Sequence, residues 1–207
     1  MGFDLDLTLA DTRTGIAATY DWLSERLGVF IDSAVAVSRL GPPLEAELAH
    51  WLPPEEIPAA ARLFRGKYAE VAVPATTAMA GAVEAVEAVR RAGGGVIVVT
   101  GKATDNARAT LRFLGLEVDE VVGSVFGAAK GEALAAFGAE AYVGDHVADI
   151  EAARAGGAVS VAVATGPYSA DELRDHGADV ILPDLTGFAA WYEDWRIREI
   201  GTVSTVT

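Results

Sequence analysis

Beyond about Ala80, short apolar runs rich in β-branched residues alternate with helical stretches that each stop at a glycine, and few architectures accommodate that rhythm. Residues 96–100, 120–123, 141–144, 159–164 and 179–182 read as strands. Residues 82–91, 104–114, 131–137 and 148–155 read as helices, with Gly93, Gly115, Gly138 and Gly156 as their left-handed stops. Short apolar strands alternating with helices belong to a sheet covered on both faces. The pattern therefore predicts an α/β core, a doubly wound parallel sheet with helices on either side.

One more strand comes from Gly2-Phe3-Asp4, which is apolar for only a few residues before the carboxylates of Asp4 and Asp6. Between it and Ala80 the character of the chain changes. Residues 14–27, 32–40, 44–51 and 55–73 read as helices, interrupted by Gly28, by Gly41-Pro42-Pro43 and by Pro53-Pro54, with no strand pattern among them. A block of helices after the first strand of an alternating chain predicts a small inserted α-helical domain over one edge of the sheet. The expected division is an α/β core of residues 1–12 and 81–207 and a helical cap of residues 13–80, hinged near 12–14 and 77–81.

The 207 residues are 51% hydrophobic, enough to fill such a core. Asp and Glu number 30 against 16 Lys and Arg, and the formal net charge of -14 argues against a nucleic-acid surface or an anionic membrane as partner. A local phosphate site remains compatible with that charge. The absence of cysteine excludes disulfides, zinc–thiolate and iron–sulfur sites and thiol nucleophiles. No apolar run is long enough to span a bilayer and no basic flank precedes an apolar stretch at the N-terminus, so the expectation is a cytoplasmic protein, monomeric or homodimeric.

In open parallel sheets ligands bind beyond the carboxyl ends of the strands, which makes the residues there the candidates for chemistry. The first strand runs into Asp4-Leu5-Asp6-Leu7-Thr8, the second into Thr100-Gly101-Lys102, and a later one into Gly144-Asp145-His146-Val147-Ala148-Asp149, with Lys130 standing before a helix between them. Two carboxylates two residues apart at a strand end repel unless a cation or dense hydrogen bonding compensates. With Asp145 they form a set of hard oxygen donors suited to Mg²⁺.

These four segments, in this order and spacing, resemble the motifs of the haloacid dehalogenase superfamily, in its phosphoglycolate phosphatase-like branch with a helical cap. Asp4-Leu5-Asp6-Leu7-Thr8-Leu9 is similar to the first motif, Val98-Val99-Thr100-Gly101-Lys102 to the second, Lys130 to the third, and Gly144-Asp145 with Asp149 to the fourth. The resemblance covers essentially the whole chain and implies a Rossmann-like core. It implies a phosphatase in which Asp4 is the nucleophile toward phosphorus, forming an aspartyl-phosphate, and Asp6 the general acid and base. Thr100, Gly101 and Lys130 would bind the phosphoryl group. Asp4, Asp6 through its backbone carbonyl, Asp145 and Asp149 would serve Mg²⁺, Asp149 by supporting its waters or by pairing with Lys130. The implied substrate is a small phosphorylated metabolite, 2-phosphoglycolate being the first guess. The alternatives are a phosphomutase of the same fold and a catalytically silent binding or regulatory module.

The chain departs from the family pattern at Leu7, where glycine is common, at Gly131, where proline is frequent after the lysine, and at His146, which is expected to face solvent. Substrate choice is expected to lie in the cap, with Arg39 as the candidate contact to an anionic substrate and Arg62, Arg65 and His50 behind it. Lys67 reads as a solvated helix residue, and Trp191, Tyr192 and Trp195 as packing aromatics of the last helix.

Overall fold

In the computed structural model, which describes residues 1–203, the chain opens with β1 (Gly2–Phe3), turns through a loop of Asp4 to Leu9 and forms β2 (Ala10–Asp11). Four helices follow: α1 (Arg13–Leu27), α2 (Ser33–Ser38), α3 (Leu44–Leu48) and α4 (Ile57–Val71). After a 3-10 turn at Val73–Ala75 the chain returns through β3 (Thr77–Ala78) to α5 (Ala82–Arg91). The alternation then runs β4 (Ile97–Val99), α6 (Thr104–Leu114), β5 (Glu120–Val122), α7 (Ala128–Ala136), β6 (Ala141–Gly144), α8 (Val147–Gly156), β7 (Val159–Val163), α9 (Ala170–Asp175), β8 (Val180–Leu182) and α10 (Phe188–Val203). Residues 204–207 of the expected core lie outside the described residues.

Among the described residues a six-stranded parallel sheet has the order β5-β4-β1-β6-β7-β8, with helices packed over it. This is the doubly wound parallel core that the alternation predicts. The order reverses direction at β1, which pairs with β4 on one side and β6 on the other, so the switch point coincides with the first acidic motif. Only two residues long, β1 is held by burial: Phe3 is fully enclosed and its ring meets Phe188 at 5.4 Å. The backbone of Asp4 continues the ladder, its N–H donating to the Val143 carbonyl at 2.8 Å. Tyr192 is 5% exposed and stacks on Phe188, so the aromatics of α10 pack as expected.

The helices α1 to α4 enclose a second hydrophobic core, centred on Leu23, Leu48, Phe64 and Tyr68. A strand closes the insert where its sequence suggested none: β3 pairs antiparallel with β2, Thr77 opposite Asp11, and ties the second segment read as a hinge to the residues just before the first. Helix boundaries also shift. The stretch read as 44–51 is helical only over Leu44–Leu48, and that read as 55–73 starts at Ile57 and ends in the 3-10 turn. α7 begins three residues early, so Lys130 sits inside its first turn rather than ahead of it. At the end of α8 the left-handed residue is Gly157, with φ 70°, and Gly156 is still helical. α9 was not foreseen; its capping box, with Ser169 and Glu172 bonding each other's backbone, defines so short a helix without apolar periodicity.

Candidate active site

The site starts from the turn after β1. The Leu5 carbonyl accepts from the backbone N–H groups of Thr8, Leu9 and Ala10, which folds residues 5–10 into a tight loop. That loop requires Leu7 at φ 59°, a left-handed conformation that disfavours a side chain by roughly 1–2 kcal/mol. The departure from glycine leaves the turn intact because the side chain is itself buried, 5% exposed, and the Leu7 carbonyl accepts from Thr165 Oγ1 at 2.6 Å.

Four motif residues, Asp4, Lys130, Asp145 and Asp149, from the segments that follow β1, β5 and β6, converge on this loop. Lys130, 3% exposed, places Nζ 2.7 Å from Asp149 Oδ1 and 3.1 Å from Asp4 Oδ1, and donates to the Tyr142 hydroxyl. Tyr142 in turn donates to the Val99 carbonyl, which fixes the lysine between β4 and β6. Asp145, in the turn after β6, accepts from Thr8 Oγ1 at 3.0 Å. Asp149 lies at the third position of α8 and also accepts from the His146 N–H, so it caps the helix and pairs with Lys130 at once. Burial drives the electrostatics. Loss of hydration, opposed by Lys130 and reinforced by Asp149 and Asp6, raises the Asp4 carboxyl to about 6. Loss of hydration, with Asp149 and Asp4 nearby, likewise pushes Asp145 well above the ordinary carboxylate range. The carboxylates beside Lys130 outweigh its own burial and raise its pKa.

Carboxylate oxygens of Asp4, Asp145 and Asp149 lie within 4.8 Å of one another. Asp4 Oδ1 is buried and, despite the nearby ammonium, accepts no well-directed hydrogen bond. Three hard donors around one unsatisfied oxygen, with burial raising the Asp4 and Asp145 carboxyls, fit a small divalent cation such as Mg²⁺ better than they fit one another.

The carboxylate of Asp6 is not in this group. It turns the other way, accepting from Thr12 Oγ1 at 2.5 Å and pairing with Lys102 Nζ at 3.0 Å, so any contribution to an ion falls to its backbone carbonyl. Lys102 is the residue whose role the sequence left unassigned. Its side chain is 7% exposed, its ammonium donates to the Tyr68 hydroxyl of α4 at 2.7 Å and lies 4.2 Å from that ring's centroid. Asp6 and Tyr68 overcome its burial and raise its pKa. The sequence placed Lys102 at a strand end, and no local pattern announces a tyrosine 34 residues upstream. Thr100, 1% exposed, closes β4 beside Gly101, and its hydroxyl oxygen accepts the Lys102 N–H.

His146 does not face solvent as expected. Its Nδ1 accepts from the Ala148 N–H, capping α8, and its ring stands edge-on to Tyr168 at 4.9 Å and to Phe126 at 6.0 Å. It reaches the loop between α2 and α3 at Gly41, where a Cβ would come within 2.5 Å of the imidazole; at φ 136° that position suits only glycine. A small enclosed cavity lies here, between Asp4, Asp6, Leu40, Lys130, Asp145 and His146.

A second cavity of about 90 Å³ lies between the helical insert and the loop after β4, bordered by Arg39, Arg65, Gly101, Lys102 and Asn106. Arg39 is held by Glu47 through Nε at 2.9 Å and Nη2 at 2.6 Å, and Arg65 by Glu45 at 2.6 and 2.8 Å. Arg62 and His50 are exposed and line neither cavity. Lys67 pairs with Glu70 and lies over the Trp22 ring, engaged within the insert.

Residues 1–154 match the sequence model of the haloacid dehalogenase-like hydrolases, and residues 125–188 match that of the HAD-hydrolase-like group. No curated protein matches the chain significantly. Among solved structures, a haloacid dehalogenase-like family hydrolase from Streptococcus pneumoniae is 24% identical with a TM-score of 0.79, the alignment covering 92% of this chain and 96% of that one. A predicted phosphatase from Clostridium acetobutylicum is 20% identical with a TM-score of 0.80, over 93% and 97%. A predicted phosphoglycolate phosphatase from Haemophilus somnus is 21% identical with a TM-score of 0.78, over 92% and 96%. At these identities the likeness is one of fold.

Proposed function

The chain belongs to the haloacid dehalogenase-like hydrolases, and on that premise we propose that it is a Mg²⁺-dependent phosphatase of a small-molecule phosphate monoester, acting through an aspartyl-phosphate. The observation that carries this reading is the meeting of Asp4, Lys130, Asp145 and Asp149, from three separate segments, in one enclosed cavity. The α/β core of residues 1–12 and 81–207 supplies this chemistry. The helices of residues 13–80 act as the cap, a division supported by their separate hydrophobic core.

In this reading Asp4, Asp145 and the Asp6 backbone carbonyl, with Asp149 behind, would hold Mg²⁺, whose charge would offset the repulsion between a carboxylate and a phosphate. Lys130 places an ammonium beside Asp4 and holds it in position for attack on phosphorus. The Thr100 hydroxyl, the Gly101 backbone and Lys130 receive the phosphoryl oxygens. As Asp4 forms its bond to phosphorus, the ester oxygen leaves as an alcohol, taking its proton from Asp6. A water then attacks the aspartyl-phosphate, gives a proton back to Asp6 and releases inorganic phosphate, which restores Asp4. Thr12 and Lys102 orient Asp6 for both transfers. The Lys102 to Tyr68 hydrogen bond joins this residue to the cap, so closure of the helices and placement of the acid are mechanically linked.

The test is phosphate release from a panel of phosphomonoesters that includes 2-phosphoglycolate, with Mg²⁺ and with chelator. Release that needs the metal and is lost in Asp4→Asn, with the phosphoryl group trapped on Asp4 by acid quench, is the expected result. Release that persists in folded Asp4→Asn overturns the proposed nucleophile.

A further inference from the structure

The second cavity adjoins the acid–base residue. It shares Leu40 with the carboxylate cavity, and Lys102 on its wall is the partner of Asp6, so it occupies the side on which the alcohol departs. We infer that this cavity receives an uncharged, apolar leaving group with an aromatic or branched hydrocarbon face, and that a carboxylate-bearing alcohol such as glycolate is disfavoured there. The inference rests on the phosphatase reading and refines its substrate.

Two observations carry it. The first is the wall: Ile16, Tyr20, Leu40, Leu44, Phe64 and Tyr68 face the space, with the Tyr20 and Phe64 rings 4.7 Å apart and Phe64 and Tyr68 6.2 Å apart. A cavity of about 90 Å³ has room for several water-sized groups. The second is charge. Each cation that borders the cavity already has its own carboxylate: Arg39 is gripped by Glu47 and Arg65 by Glu45, both in the paired geometry of guanidinium and carboxylate, and Lys102 is paired with Asp6. Trp51 Nε1 also donates to Glu47, which fixes that carboxylate under Arg39. A substrate carboxylate entering here would lose its water to an apolar wall and find no uncommitted cation. The arginine that the sequence suggested as an anion receptor is therefore a neutralised part of the pocket rim.

The experiment compares benzyl phosphate, ethyl phosphate and 2-phosphoglycolate, all esters of primary alcohols, on the full chain with Mg²⁺. Benzyl phosphate is expected to exceed 2-phosphoglycolate in kcat/KM by about tenfold or more, the size of one unpaired buried charge contact at its low end. Glu47→Gln, which leaves Arg39 without its counter-charge, is expected to shift the ratio of the two substrates by at least about tenfold toward 2-phosphoglycolate. Because the ratio is taken within one variant, partial loss of fold does not imitate the effect. Hydrolysis of ethyl phosphate with 2-phosphoglycolate preferred, or a ratio unmoved by Glu47→Gln, overturns the pocket assignment and leaves the phosphatase reading standing. Should none of the three be hydrolysed, calorimetric binding to the parent protein decides: benzyl phosphate bound more tightly than 2-phosphoglycolate upholds the pocket and overturns the phosphatase, and equal or reversed affinities overturn both.

Discussion

Replacing the proposed nucleophile by its amide is expected to make the metal-free protein more stable. Asp4 is 9% exposed and shares its surroundings with Asp149 and Asp6, whose charges the Lys130 ammonium opposes. Burial carries its carboxyl from 3.8 to about 6, which corresponds to roughly 3 kcal/mol held against the ionised form. Between about pH 4 and pH 6 the folded state binds more protons at this position than the unfolded chain, so stability from this group is present below pH 4 and is lost as the pH rises through 6. Asparagine keeps the shape and never ionises. In chelator at pH 7 to 8, Asp4→Asn is expected to exceed the parent in urea stability by up to about 3 kcal/mol, the gap closing as the pH falls toward 4. Saturating Mg²⁺ should narrow the gap by stabilising the parent. A destabilised Asp4→Asn at pH 8, or a gap that widens on acidification, refutes the picture of a carboxylate held ionised against its surroundings.

Three further substitutions probe how the site is held. At Leu7 the usual order of glycine and alanine should invert: both variants lose a buried side chain, but Leu7→Gly is expected to remain about 1 kcal/mol more stable than Leu7→Ala in urea, because φ is 59°. A more stable alanine variant would show that the turn relaxes. At Gly166 a Cβ would lie 1.8 Å from Asp145 Oδ2, so Gly166→Ala must displace that carboxylate; turnover is expected to fall about 10²-fold with the circular dichroism spectrum retained, and turnover within twofold of the parent contradicts the placement. Lys130→Met strands Asp4 and Asp149 without their cation and is expected to cost about 3–5 kcal/mol in chelator, measured by denaturant unfolding; a loss below 1 kcal/mol would show that the carboxylates re-protonate at little expense.

The parts of this fold that could be read from sequence are those written in local chemistry. Strand ends carry Asp4, Thr100 and Asp145 because a parallel sheet delivers its carboxyl ends to one edge, and an ordered chain of apolar runs is enough to say so. The β2–β3 ribbon could not be read, since each strand has two residues and its partner lies across the whole helical insert. Lys102 was visible as a residue and invisible as a role, because its meaning depends on Tyr68 arriving from α4 and on Asp6 turning away from the other carboxylates. His146 was misread for the same reason. A polar residue after a strand looks solvated until Tyr168, Phe126 and the loop at Gly41 close around it.

Charge explains why the site is built from parts that work poorly alone. A chain with a formal charge of -14 repels a phosphate monoester, and the cluster of Asp4, Asp145 and Asp149 around one ammonium adds to that repulsion rather than relieving it. Lys130 by itself cannot reverse the sign, because two carboxylates already share it. A divalent ion bound to those oxygens brings the local charge near neutrality and makes approach of the substrate possible, so in the proposed reading metal and substrate are coupled through the charge they compensate. The apolar chamber on the alcohol side follows the same logic. With every bordering cation already paired, selection there rests on shape and dispersion, and the protein's negative field never opposes an uncharged leaving group.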